Sequence, residues 1–147
     1  MADLGDFARL IAGDHGLCVV STLRADDTIQ SSVVNAGVID HPVTGQPVVA
    51  LVAMGGSRKL ANLRARPQTT VVARVGWDWV AVEGTVALAG PDDPLPGLDP
   101  EGLRLLLRTV FTAAGGTHDD WGTYDRVMAG ERRTAVLVTP RRVYSSG

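Results

Sequence analysis

Cys18 is the only cysteine in the 147 residues, so the chain cannot cross-link itself. No apolar run approaches the roughly 18 residues of a membrane span. The opening MADLGDFARL shows no basic leader before an apolar stretch, so no signal peptide is expected and a cytoplasmic address is the default. Aromatic residues make up only 5%. Lysine is scarcer still: of 14 basic residues only Lys59 is not arginine. The formal net charge of -2 gives no reason to expect nucleic acid or a membrane surface as partner.

The present residues describe a globular chain. Hydrophobic residues are 45% and charged residues 20%, which excludes collagen, coiled coil and wholesale disorder. The length predicts a single domain over 1–147. Charge is unevenly spread. No Asp or Glu occurs between Asp40 and Asp78, a window that holds Arg58, Lys59, Arg64, Arg66 and Arg74. A second acid-free stretch follows Glu131 and carries Arg132, Arg133, Arg141 and Arg142. Two basic zones on a weakly acidic chain suggest a small anionic ligand rather than a long polyanion.

Hydrophobic periodicity predicts a short helix over 4–12 and strands over 17–23, 29–39, 47–54, 69–75, 77–88 and 134–138, the last extending past Pro140 towards 144. The third strand is apolar at nearly every position, so burial on both faces is expected. Gly84 marks a bulge in the fifth. Ser57 can cap a helix over 58–66 that Pro67 ends. Further helices are expected over 101–114 and 120–132, after a Pro- and Asp-rich loop at 90–100. Six strands in hairpins, with short helices inserted, argue a mainly β fold, an antiparallel barrel.

Familiar catalytic signatures are missing. The chain has neither G-x-x-x-x-G-K-[ST] nor G-x-G-x-x-G, and GGSRK at 55–59 resembles a phosphate loop only superficially. His15, His41 and His118 share no metal-ligand spacing; His118-Asp119-Asp120 reads as a turn and helix cap. Cys18 lies in an apolar strand, the setting of a buried thiol, and Glu83 reads as a satisfied residue at the core edge. Without a visible acid, base, nucleophile or metal site, the chain is either a binding module or a protein whose cofactor carries the chemistry. One constellation stands out: Ser57, Arg58 and Lys59 at a helix N-terminus, with Asn62 one turn on. Free N–H groups, a partial positive charge and two full charges suit a phosphate; a capped helix with surface bases accounts for the same residues. Trp77 and Trp79, two apart on the expected strand, would face one side, either as core or as a flat wall for an aromatic ring.

Taken together, IQSSVVNAGVI at 29–39, SRKLANLRARP at 57–67, GWDWVAVEGTVAL at 76–88, HDDWGTYDRVMAGERRTAVLV at 118–138 and the terminal RVYSSG give the chain its likeness. It resembles the deazaflavin-dependent oxidoreductases of the pyridoxamine 5'-phosphate oxidase-like split β-barrel superfamily, in the branch that uses coenzyme F420 and is typical of actinobacteria. The resemblance implies a homodimer of six-stranded split barrels with cofactor clefts at the interface. It implies that Arg58 and Lys59, helped by Ser57 and Asn62, grip the cofactor's phosphate and acidic tail. It places Ser31, Ser32 and Val33 near the cleft, Trp77 beside the deazaflavin, and Arg133 where it could reach a cofactor across the dimer. The implied activity is transfer of a hydride from reduced F420 to an unsaturated or conjugated small molecule. Two alternatives stay open: an FMN enzyme of the same superfamily, and a non-catalytic flavin or haem carrier in which His15, His41 or His118 would ligate the haem.

Overall fold

The structure, a computed structural model, describes residues 1–146. Among them six strands close into one antiparallel barrel in the order β1-β2-β3-β6-β5-β4, with β4 returning to β1. The strands are β1 (Leu17–Leu23), β2 (Ile29–Asp40), β3 (Pro47–Ala53), β4 (Gln68–Val75), β5 (Asp78–Ala89) and β6 (Thr134–Ser145). The helices are α1 (Leu4–Ala12), α2 (Arg58–Ala65), α3 (Pro100–Ala113) and α4 (Trp121–Gly130). No helix among the described residues is long and apolar enough to cross a membrane.

Two apolar cores share the same strands. Alternate residues of β3 and β6 turn Val49, Leu51, Val136 and Val138 into the barrel, where α1 supplies Phe7 and Ile11 and α2 supplies Leu60 and Leu63. The alternate set, Val48, Ala50, Ala135 and Leu137, faces outward and is covered by Leu106, Leu107 and Val110 of α3 and Tyr124 of α4. This double covering is why β3 reads as a continuous apolar run rather than an alternating one.

Local chemistry sets the boundaries. Asp3 caps α1 in a reciprocal box with Asp6, Ser57 Oγ accepts from the Leu60 N–H, and Asp99 and Asp120 cap α3 and α4. The ladder between β5 and β6 shifts register at Glu83/Gly84, and Gly84 stands opposite Pro140. A Cβ at Gly84 would lie 2.2 Å from the Thr139 carbonyl oxygen, so the bulge admits only glycine there. Strand β6 therefore runs on through a proline to Ser145.

One element differs from the sequence reading. Trp77 is not on a strand. Val75 pairs with Asp78, and Gly76 (φ +61) and Trp77 form the two-residue turn between them. Glycine at the first turn position suits the twist of a tight hairpin, and it leaves Trp77 at the tip, 94% exposed. Trp79, on β5, packs edge-on against Tyr144 at 6.0 Å.

Candidate functional site

A cleft of about 500 Å³ opens beside the N-terminus of α2. Its floor is the barrel: Val34 and Asn35 of β2, Val52 and Ala53 of β3, then Met54. Its roof is the helical layer between β5 and β6, contributing Val110 and Phe111 of α3 and Tyr124 and Met128 of α4. Ser57, Lys59 and Arg133 supply its polar groups, and no carboxylate is among its lining residues.

Lys59 is the electrostatic centre of this cleft. Its side chain is half-buried and, among the described residues, makes no ion pair or hydrogen bond. Desolvation holds its pKa below the ordinary 10.5. The neighbouring Cys18 offers no compensation, since burial pushes that thiol up to about 12 and keeps it neutral. An unpaired, half-buried cation is costly to a folded chain and is the arrangement expected of a site completed by an anion. Ser57 and the first-turn N–H groups of α2 stand on the same side.

Arg133 shares the cleft but not the isolation. Its Nε donates to Glu131 Oε1 at 3.0 Å, while its Nη groups have no hydrogen-bond partner among the described residues. Tyr124 is buried, and its hydroxyl donates to the Leu107 carbonyl at 3.0 Å, so its proton is already engaged.

The structure thus gathers Ser57, Lys59 and Arg133 in one cleft. The other expected site residues lie elsewhere in the single chain. Arg58 is exposed and does not line the cleft. Asn62 is only 6% exposed, and its amide nitrogen donates to Thr22 Oγ1 and Gln30 Oε1, each at 3.1 Å. Lys59 reaches the cleft, whereas those two hydrogen bonds hold the Asn62 side chain against the barrel strands β1 and β2. Ser31 and Val33 lie on the outer barrel surface, with Ser31 Oγ 2.8 Å from Ser21 Oγ and Val33 66% exposed. Ser32 is half-buried between them. From β2 the cleft takes Val34 and Asn35 instead. Trp77 stands at its hairpin tip, outside the cleft.

The basic zones are acid-free in sequence and not in space. Arg64 forms a paired contact with Asp93 at 2.8 and 2.7 Å, Arg132 pairs with Asp92, and Arg142 lies 3.6 Å from Glu83. Those carboxylates come from β5 and the loop after it. Sequence reasoning missed Met54, Phe111, Tyr124 and Met128 as lining residues, since an apolar residue over a cleft carries the same pattern as one in a core.

No histidine is among the lining residues of this cleft, although the His118 ring stands 5.6 Å from that of Tyr124 and 6.3 Å from that of Phe111. His41 Nδ1 accepts from the Val43 and Thr44 N–H groups and His118 Nδ1 from that of Asp120, both in surface turns. Asp120 caps α4 through the Thr123 N–H, as the sequence suggested. No group of metal-ligating side chains is found among the described residues.

No family model matches the chain. No curated protein matches it by sequence. Solved structures do match. A conserved hypothetical protein from Mycobacterium tuberculosis superposes with a TM-score of 0.70 at 19% identity, over 99% of this chain and 84% of that one. An F420 reductase superposes with a TM-score of 0.60 at 16% identity, over 87% and 88%. A pyridoxamine 5'-phosphate oxidase-related, FMN-binding protein from Nostoc punctiforme does so with a TM-score of 0.67 at 12% identity, over 99% and 84%. At these identities the likeness is one of fold: this chain is a closed six-stranded antiparallel barrel of the type found in pyridoxamine 5'-phosphate oxidase-related proteins.

Proposed function

We propose that the chain is an oxidoreductase that binds F420 in the Lys59 cleft and reduces an unsaturated or conjugated small molecule. The observation that carries this reading is Lys59: a half-buried cation without a partner among the described residues, in a cleft without a lining carboxylate. The residues fit the cofactor's chemistry. A phosphodiester needs cations and N–H donors, which Lys59, Ser57 and the first turn of α2 offer. A flat heteroaromatic ring needs apolar walls, which Val34, Val52 and Met54 offer below and Phe111 and Met128 above.

F420, when bound and reduced, supplies a hydride; the protein supplies position. Lys59 and Ser57 anchor the anionic end. The roof of α3 and α4 keeps bulk water from the ring. Arg133 would offer its unpartnered Nη groups as hydrogen-bond donors to a polar atom of the acceptor. Arg58, exposed beside the cleft, would reach a long acidic tail rather than the phosphate.

The reading includes a homodimer. On the outer barrel face Val33 pairs with Val19, which pairs in turn with Val72, and Ile29 pairs with Leu23. Val33, Ile29 and Val19 are 66%, 65% and 39% exposed. A second copy packed on this face would cover them and bring Ser31 and Val33, and the partner's counterpart of the Trp77 hairpin, to an interface. Sedimentation of the purified protein at micromolar concentration should show a dimer that Val19→Glu dissociates; a stable wild-type monomer would remove the dimer from the reading.

The test of the cofactor is parallel fluorescence titration with F420 and FMN. Preference for F420 supports the reading, and preference for FMN replaces it with the flavin enzyme. Binding of neither removes the cofactor assignment and leaves the fold standing.

A further inference from the structure

A second cleft, of about 410 Å³, lies on the other side of α4. Leu103 and Leu107 of α3 form one wall, Met128 and Ala129 of α4 another, and Pro91 and Pro100 bracket the third. It shares Tyr124, Met128 and Arg133 with the Lys59 cleft, so α4 is a partition with a cleft on each flank.

The walls are held apart rather than filled in. Asp125 of α4 accepts from Arg104 at 2.8 Å and from Arg108 at 2.9 Å, joining α3 and α4 along one rim. Arg132 pairs with Asp92 and Arg64 with Asp93, fixing the loop before α3 to the body of the protein. Pro91, Pro94, Pro96 and Pro100 stiffen that loop, because proline restricts its own φ and the residue before it. A rigid frame around an apolar floor is a preformed site rather than a loose end of packing.

The rim also says what the occupant carries. Three guanidiniums line the cleft, Arg104, Arg132 and Arg133, and each already has a carboxylate partner: Glu101 and Asp125, Asp92, and Glu131. Their charge is matched, so an anion gains little, while guanidinium N–H groups not used by those carboxylates remain as donors. We propose that this cleft is a second small-molecule site that takes an uncharged, largely apolar carbonyl compound, its oxygen accepting from Arg133. The site stands on its own lining residues and does not rest on the cofactor reading.

The probe is Prodan, a neutral naphthyl ketone whose emission strengthens and moves to shorter wavelength in apolar surroundings. The wild-type protein should bind it saturably at one site per chain. Ala129→Trp, an exposed helix position that lines only this cleft, should weaken binding by about tenfold or more. Met54→Trp, which lines only the Lys59 cleft, should leave it unchanged. Near-ultraviolet circular dichroism checks that both variants are folded. The anionic probe anilinonaphthalene sulfonate should bind about tenfold more weakly than Prodan or worse. Loss of binding in Met54→Trp with none in Ala129→Trp would place the probe in the first cleft and overturn the proposal. Indifference to both variants, or no saturable binding, would overturn it too. Binding of the anion equal to or tighter than Prodan would overturn the assigned ligand chemistry.

Discussion

Asp125 and Arg108 form a two-pronged ion pair between the last two helices, with Nε to Oδ1 at 2.9 Å and Nη2 to Oδ2 at 2.5 Å. Arg108 and then Arg104 hold the Asp125 carboxyl down at about 2. Its pKa is depressed on folding, so the stability it contributes is full above the unfolded value near 3.9 and is lost as pH falls through about 2. Arg108 also stands 5.2 Å from the centre of the Trp121 ring. In a Trp77→Phe, Trp79→Phe background, Trp121 fluorescence should hold steady down to about pH 4 and then change towards pH 2. Asp125→Asn should abolish that step and lower the thermal midpoint; an unchanged step would show that another carboxylate governs the clasp.

Lys59→Ala should weaken F420 binding by about 1–3 kcal/mol, the size of a lost charge-assisted contact. Fluorescence titration reads it directly. Equal affinity in Lys59→Ala and Arg58→Ala would remove both from the site.

The depressed pKa of Lys59 gives affinity a pH signature. The anion needs the protonated amine, so affinity should fall as pH climbs through a value below 10.5. Lys59→Arg keeps its charge and should show no such fall. The same desolvation means that the ligand-free protein carries the charged amine at a cost, so Lys59→Met should raise the thermal midpoint while weakening cofactor binding about as much as Lys59→Ala does. A lower midpoint would show that Lys59 has a structural role instead.

Asn62 should separate structure from ligand contact. Its buried amide bonds Thr22 and Gln30, so Asn62→Ala should cost about 1–3 kcal/mol of folding stability by denaturant titration. Affinity for F420 in the folded fraction should hardly change. The reverse pattern would return Asn62 to the binding site.

Gly37 is where α3 meets the barrel. A Cβ there would fall 2.6 Å from the Ala113 carbonyl carbon. Gly37→Ala should therefore push the C-terminal end of α3 outward, at a cost of about 1–3 kcal/mol. Because that end roofs the Lys59 cleft, cofactor affinity should drop with it. Denaturant midpoint and titration together check this, and loss of stability without loss of affinity would detach the α3 roof from binding.

What the sequence determined alone is local. The seven-residue apolar run of β3, the Ser57 cap, the bulge at Gly84 and the Leu stripe of α3 are each set within a few residues, by side-chain period, by a hydroxyl within reach of an N–H, or by the space a Cβ would need. The barrel follows from six such strands without a helix between each pair. Lys59 could be marked as a candidate because it is the lone lysine and stands beside an arginine at a helix start. Only the tertiary structure decided which charges remain free. Arg64 and Arg132 read as parts of basic zones, yet the loop after β5 returns Asp93 and Asp92 to them. Likewise Asn62 turned inward, Trp77 fell on a hairpin tip, and Phe111, Tyr124 and Met128 became a cleft roof as well as part of the outer core. The reason is range: periodicity and capping act between near neighbours in the chain, whereas a cleft is assembled from elements that only folding brings together.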